Sequence, residues 1–156
     1  QTMMGHTHMA FGLLIALMAL SFFNPVHSII FVAIAVFSAL LPDIDHEGSK
    51  INKLIPVTRI FAKVFKHRGF FHSVWPALLL YAGFWYFSLS WIGVAVALGY
   101  LTHLFSDSLT KMGVNLLHPV ATLRVQGFIT TGGVWEYVTL GVVLTLTGLK
   151  LWGMLS

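Results

Sequence analysis

The stretch Tyr100-Leu-Thr-His-Leu-Phe-Ser-Asp-Ser-Leu-Thr110 closes an apolar run that begins at Trp91, and it sets His103 and Asp107 four residues apart. On a helix that spacing puts an imidazole and a carboxylate one turn apart on one face, where both can grip a single ion. Ionisable groups at the end of an apolar segment are costly and point first to function. Alone, a His/Asp pair on a helix is more commonly a hydrogen-bonded pair, so its meaning depends on what the rest of the chain brings beside it.

The composition surrounding this stretch is that of a membrane protein. Of 156 residues, 57% are hydrophobic and 9% charged, with a mean hydropathy of +0.85; soluble domains carry about 25% charged residues. The expected fold is all-α: a polytopic membrane helical bundle forming one integral domain over 1–156, with four to five spans of about 20 residues each. There is no cysteine. Disulfides and thiolate metal sites are excluded, and any metal must be held by nitrogen and oxygen.

Working outward, apolar runs predict spans at about 9–23, 26–41, 74–89, 91–106 and 134–155. Gln1 and Thr2 precede Met3 and Met4, where the native chain is expected to start. The first run is read as a span and not a signal peptide, because no Lys or Arg precedes it and no small-x-small cleavage site follows. Pro42 ends the second run and turns the chain into Asp43-Ile44-Asp45-His46-Glu47. Residues 56–66 form an amphipathic pattern, Val57, Ile60, Phe61, Val64 and Phe65 against Arg59, Lys63 and Lys66, which predicts a helix lying in the interface against anionic headgroups. His67-Arg68-Gly69-Phe70-Phe71-His72-Ser73 follows, with Gly69 expected to bend the chain, Ser73 to cap the third span and Pro76 to sit in its first turn. Trp135 and Trp152 flank the last span as interfacial anchors. Between 119 and 133 no span is found, and the alternation from Leu123 to Ile129 hints at a short hairpin.

If the first four spans alternate, the start of one, the end of two, the start of three and the end of four lie on one side. His8, Asp43, Asp45, His67, His72, His103 and Asp107 fall at those four ends, and so do His6 and His46. A cluster of imidazoles and carboxylates at the mouth of a bundle suits two adjacent divalent ions, zinc or manganese. Eight of the nine basic residues lie on the same side, with Lys150 opposite. The positive-inside rule then puts the cluster at the cytoplasmic face of the inner membrane. The net charge of +4 reflects this asymmetry and argues for contact with an anionic phospholipid surface, not nucleic acid.

The blocks Thr7-His8-x-x-x-Gly12, Leu41-Pro42-Asp43-Ile44-Asp45, His67-Arg68-Gly69-Phe70-Phe71-His72-Ser73, and His103-x-x-x-Asp107-x-x-Thr110-x-x-Gly113 with Pro119 together resemble the YdjM-like family of inner-membrane, metal-dependent hydrolases. Phe71 departs from the pattern, where threonine is expected, and Glu136 resembles the family's late acidic position. A more distant likeness, by analogy, is to zinc-dependent phospholipase C and its nuclease relatives, onto which His103 and Asp107, and less closely His8, Asp45, His72, His118 and Glu136, can be mapped.

These resemblances imply a hydrolase of a lipid or membrane-proximal phosphoester. His72, His103, Asp107 and one or both of Asp43 and Asp45 are expected to hold the principal metals, with His8 and His67 completing the shells. Arg68 and Lys111 are expected to neutralise transition-state charge, and Asp43 to act as general base. Two other classes fit the same residues. A divalent-ion or proton transporter should have polar groups near the midplane, where this sequence offers Ser38, Thr102 and little else. In a regulatory or scaffold protein, metal would only lock the bundle.

Overall fold

The computed structural model describes residues 3–23, 25, 27–46, 50–55 and 69–156. The interfacial helix expected at 56–66, together with His67, Arg68 and Glu47, lies outside the described residues.

The described chain is all-α apart from one short hairpin. Helix α1 covers Gly5–Phe23 and α2 Ser28–Ser38. After α2 the chain tightens into a 3₁₀ turn, Leu41–Asp45, in whose first positions Pro42 sits without losing a needed N–H. A short α3, Lys50–Leu54, is followed by a second 3₁₀ turn at Phe70–His72. Next come α4, Val74–Tyr86, and α5, Ser90–Ser108. Strands β1, Val114–Asn115, and β2, Arg124–Val125, pair antiparallel with Val114 opposite Val125, so β2 falls inside the stretch whose alternation hinted at a hairpin. Helix α6 covers Val134–Leu155.

Two local expectations change. Ser73 stands at the N-cap of α4 with extended backbone, but its hydroxyl donates back to the Phe70 carbonyl at 2.6 Å, closing the 3₁₀ turn and leaving the helix without a side-chain cap. And α4 stops at Tyr86, short of 89, because Ser88 takes a positive φ of 60° and the N–H groups of 87–89 turn back onto carbonyls of 83–85.

Among the described residues, three segments are long and apolar enough to cross a membrane: Gly5–Phe22, Ser28–Asp45 and Val134–Leu155. At 13 residues α4 is only about 20 Å long against a hydrocarbon core of about 30 Å. Helix α5 has 19 residues, but Thr102, His103, Ser106 and Asp107 break its apolar character and are buried in the bundle. The membrane-like all-α bundle expected from the sequence is what the described residues form, with α4 and α5 trading apolar length for packing and polar residues.

Helix α5 is the hub, packed against α1, α2 and α4, while α6 packs on α1. Small residues let the backbones approach, as is usual where lipid removes the hydrophobic drive between helices. A Cβ on Gly99 would collide with the Ala35 carbonyl of α2, and one on Gly93 would press on Tyr81 and Phe84 of α4. Ala16, Ala19, Phe31, Ala35 and Ala95 fill the α1, α2 and α5 junction. These contacts bring the start of α1, the end of α2, the start of α4 and the end of α5 together at one end of the bundle.

Candidate metal centre

Each end delivers its side chains by a local device. The first turns of α1 carry His8, and the 3₁₀ turn after α2 carries Asp43 and Asp45. The 3₁₀ turn before α4 ends on His72, and the last turns of α5 carry His103 and Asp107 one above the other. All six are buried; His8, His72, His103 and Asp107 are 0% exposed, and Asp43 retains 5%.

Their ring and carboxylate atoms face one region. His8 Nε2 stands 3.6 Å from Asp107 Oδ1, and the Nε2 atoms of His72 and His103 are each 3.7 Å from Asp107 Oδ2. Asp43 Oδ1 is 3.7 Å from His72 Nε2 and 3.8 Å from His103 Nε2. Two triads, His8/His103/Asp107 and Asp43/His72/His103, each hold their ligand atoms within 4.8 Å of one another. The His8 and His103 rings stack at 3.7 Å between centroids.

The opposite ring nitrogens fix the tautomers. His103 Nδ1 lies 2.8 Å from the Ala39 carbonyl, which can only accept, so Nδ1 carries the proton and Nε2 is bare. His8 Nδ1 lies 2.7 Å from Ser106 Oγ, whose own hydrogen is given to the His103 carbonyl at 2.9 Å; here too Nδ1 donates and Nε2 is bare. His72 Nδ1 stands 3.4 Å from Asp45 Oδ2. Three imidazoles thus present Nε2 inward while an acceptor holds Nδ1 behind, the arrangement by which outer groups orient metal-binding histidines.

The residues fit a metal ion on a direct test. His8 Nε2, His103 Nε2 and Asp43 Oδ1 are buried without a hydrogen-bond partner among the described residues, and burying such atoms unpaired costs about 1–3 kcal/mol each. Separations of 3.6–3.8 Å are too long for hydrogen bonds. Two ligands about 2.0–2.1 Å from one zinc stand about 3.3 Å apart at the tetrahedral angle and further apart as the angle opens. Without an ion, burial pushes the His72 imidazole down, but the neighbouring carboxylates of Asp43, Asp45 and Asp107 outweigh it and raise His72 to about 9.

The structure brings together His8, Asp43, Asp45, His72, His103 and Asp107, with Asp45 set behind His72 instead of facing the common region. Lys111 is exposed, lining a separate cavity of about 250 Å³ with Ile129, Thr130 and Thr131, and is not brought into contact with the cluster. His6 is exposed, and His46 and His118 are half-buried outside both triads. Glu136 is fully buried but belongs to a different knot: it accepts from Met4 N at 2.6 Å, Thr7 Oγ1 at 3.1 Å and Gly132 N at 2.6 Å. Sequence reasoning missed Ser106 and the Ala39 carbonyl; the one available signal was Ser106 lying three residues after His103, where its hydroxyl can return to the helix carbonyl.

The family model described as YdjM inner membrane protein matches residues 3–155. The inner membrane protein YdjM of Escherichia coli (strain K12) is 37% identical over 93 residues, covering 54% of this chain and 47% of that protein, and the Shigella flexneri protein of the same name gives the same values. The uncharacterized protein YvsG of Bacillus subtilis (strain 168) is 30% identical over 126 residues, 80% of this chain and 78% of that protein. The match thus spans about half the length of the first two relatives. No solved structure matches. With apolar helices of membrane-crossing length and a family match running from Met3 to Leu155, the chain belongs to the YdjM family of inner-membrane proteins.

Proposed function

We propose that this protein is a membrane-bound, metal-dependent hydrolase acting on a phosphoester, with its metal centre at the cytoplasmic face. The observation that carries the reading is the convergence of three inward-facing, rear-anchored Nε2 atoms with the carboxylates of Asp43 and Asp107. A mixed nitrogen and oxygen set without sulfur suits zinc or manganese. When bound, such an ion supplies Lewis acidity and lowers the pKa of water.

The chain's own groups divide the remaining work. Asp43, which alone among the ring-facing carboxylates keeps some exposure, takes the proton of the attacking water through the oxygen it does not turn to the rings. Asp107 turns one oxygen toward His8 and the other toward His72 and His103, and Met3 N donates to it at 3.1 Å. His103 is common to both triads, and its single bare nitrogen would hold one ion, with the other members of the triads completing the set. Arg68 adjoins the His72 turn in sequence and is the candidate for neutralising phosphoryl charge. The concentration of Lys and Arg on the loops of the cluster's side supports the cytoplasmic orientation. At the other end Lys150 bonds Ser21 Oγ at 2.7 Å.

One observation favours a second reading. Complete burial of His8, His72, His103 and Asp107 is what a closed, structural ion would show, locking the four helix ends together. Elemental analysis of gently purified protein, followed by assay of metal-reconstituted protein on phospholipids and chromogenic phosphoesters, tests both. Tightly held zinc or manganese with metal-dependent turnover is expected. Metal-loaded protein inert toward every ester, yet losing thermal stability on chelation, would replace the hydrolase with the structural lock; activity surviving full metal removal would overturn the metal reading.

A further inference from the structure

Helices α2 and α4 pack on different sides of α5, α2 at Gly99 and α4 at Gly93. A groove opens between them. Its floor is the α5 stripe Ile92, Val96 and Tyr100, and one wall is the α4 stripe Pro76, Leu80 and Phe84; each stripe repeats every four residues and so runs about 12 Å along its helix. The groove shows as two cavities of about 320 and 600 Å³ that share Leu41 and Leu80. Among the described residues, the only polar side chains lining it are Ser38 and Tyr100, and the Tyr100 hydroxyl is spent on the Phe71 carbonyl.

The inner end of this groove abuts the metal centre. In the 3₁₀ turn at 41–45, Leu41 and Ile44 stand three residues apart and share a face, which lines the groove, while Asp43 and Asp45 on the other faces reach the His72 ring. Phe71 lines the groove while His72 joins the cluster, and Tyr100 lines it one turn before His103. One layer of residues separates an apolar trough from a buried set of imidazoles and carboxylates. The outer rim carries Ile29 and Leu79, 86% and 64% exposed, which in a membrane face acyl chains.

We infer that the groove between α2 and α4 holds the acyl chain of the substrate, so that the phosphoester handled at the His/Asp centre belongs to a membrane lipid. This rests on the hydrolase reading. The occupant follows from the surroundings: the groove belongs to an inner-membrane protein, is apolar along its length, and ends at a polar centre, the layout of an amphiphile. Because lipid already bathes the groove, selection there comes from packing and not from escape from water.

The test uses the full chain in phosphatidylglycerol vesicles with a phosphatidic acid probe bearing a photoactivatable group at the end of its acyl chain. Labelled residues are mapped by mass spectrometry. Ala33, an exposed groove residue, is changed to Trp to fill the trough without disturbing the core, and Leu144→Trp on the outer face of α6 is the control. Labelling concentrated on Ile34, Leu80 and Phe84, lost in Ala33→Trp and kept in Leu144→Trp, supports the inference. So does a fall of about tenfold or more in hydrolysis of a long-chain relative to a short-chain phospholipid in Ala33→Trp alone. Labelling spread evenly over the groove and the outer face of α6 means annular lipid only and overturns it. An unlabelled groove, filled by a second copy or by residues 56–66, overturns it as well. Ester hydrolysis whose chain-length preference ignores Ala33→Trp removes the groove from catalysis and leaves the hydrolase standing. Specific groove labelling with no ester turned over removes the hydrolase and leaves a lipid-binding groove.

Discussion

Two buried carboxylate centres lie at the same end of the bundle, and they are chemically unlike. Around Glu136 every neighbour is a donor: two backbone N–H groups and a threonine hydroxyl satisfy both oxygens. Around Asp43 and Asp107, the nitrogens that His8 and His103 turn toward the carboxylates are bare, themselves acceptors, held in place from behind. Lone pair facing lone pair is repulsive unless a proton or a cation lies between. Burial alone therefore does not separate a structural carboxylate from a ligand; the polarity of what faces it does. Glu136 ties the start of α6 to the start of α1.

The sharpest way to break this comparison is Asp107→Asn, which keeps shape and one oxygen but removes the charge. Metal affinity is expected to fall by more than about 100-fold, beyond the loss typical of an outer-group mutation, and phosphoester turnover should disappear with it. Titration of metal-free protein by calorimetry measures the first. Unchanged affinity would make the cluster a hydrogen-bonded knot like the other one.

Ser106→Ala removes only the acceptor behind His8. A loss of about 10- to 100-fold in affinity is expected, with little change in folding. If the ring needs no such anchor, affinity will stay at the wild-type value and the tautomer argument fails.

Glu136→Gln sharpens the contrast from the other side. An amide group in place of one oxygen confronts a backbone donor with another donor, so stability should drop by about 1–3 kcal/mol while metal content stays at the wild-type level. Thermal unfolding and elemental analysis on the same sample decide it. Metal lost at constant stability would merge the two centres into one.

The proton on His72 supplies a pH signature. Its folded value of about 9 lies above the ordinary 6.5, so in metal-free protein its contribution to stability is fully present below about 6.5 and is lost as pH rises through about 9. Metal must displace that proton, so affinity should strengthen over the same window. Opposite trends for metal-free melting temperature and for affinity, measured between pH 6 and 9, are the expected result; parallel trends would remove His72 from the ligand set.

The smallest effect is expected at Lys111. Its ammonium lines a separate cavity, and Lys111→Ala should alter affinity by no more than about twofold, within the usual range for surface substitutions. A larger fall in turnover at unchanged affinity would return it to the charge-neutralising role that its sequence position suggested.

Composition by itself determined the class, because a chain with 9% charged residues cannot present a soluble surface, and backbone groups in lipid must close their hydrogen bonds within helices. Alternation of apolar runs also determined that His8, Asp43, His72, His103 and Asp107 would meet, since each falls at the same end of successive crossings. What the tertiary structure alone decided is direction. Spacing along a chain does not encode the rotation of one helix against another, so it could not say that Nε2 and not Nδ1 of each ring faces inward. Nor could it place Asp45 behind His72, or give Glu136 to the α1 start and not to the cluster. The short α4 and the groove beside it have the same origin: Gly93 and Gly99 let two helices dock closely on separate sides of α5, and only their crossing in space leaves a trough between them.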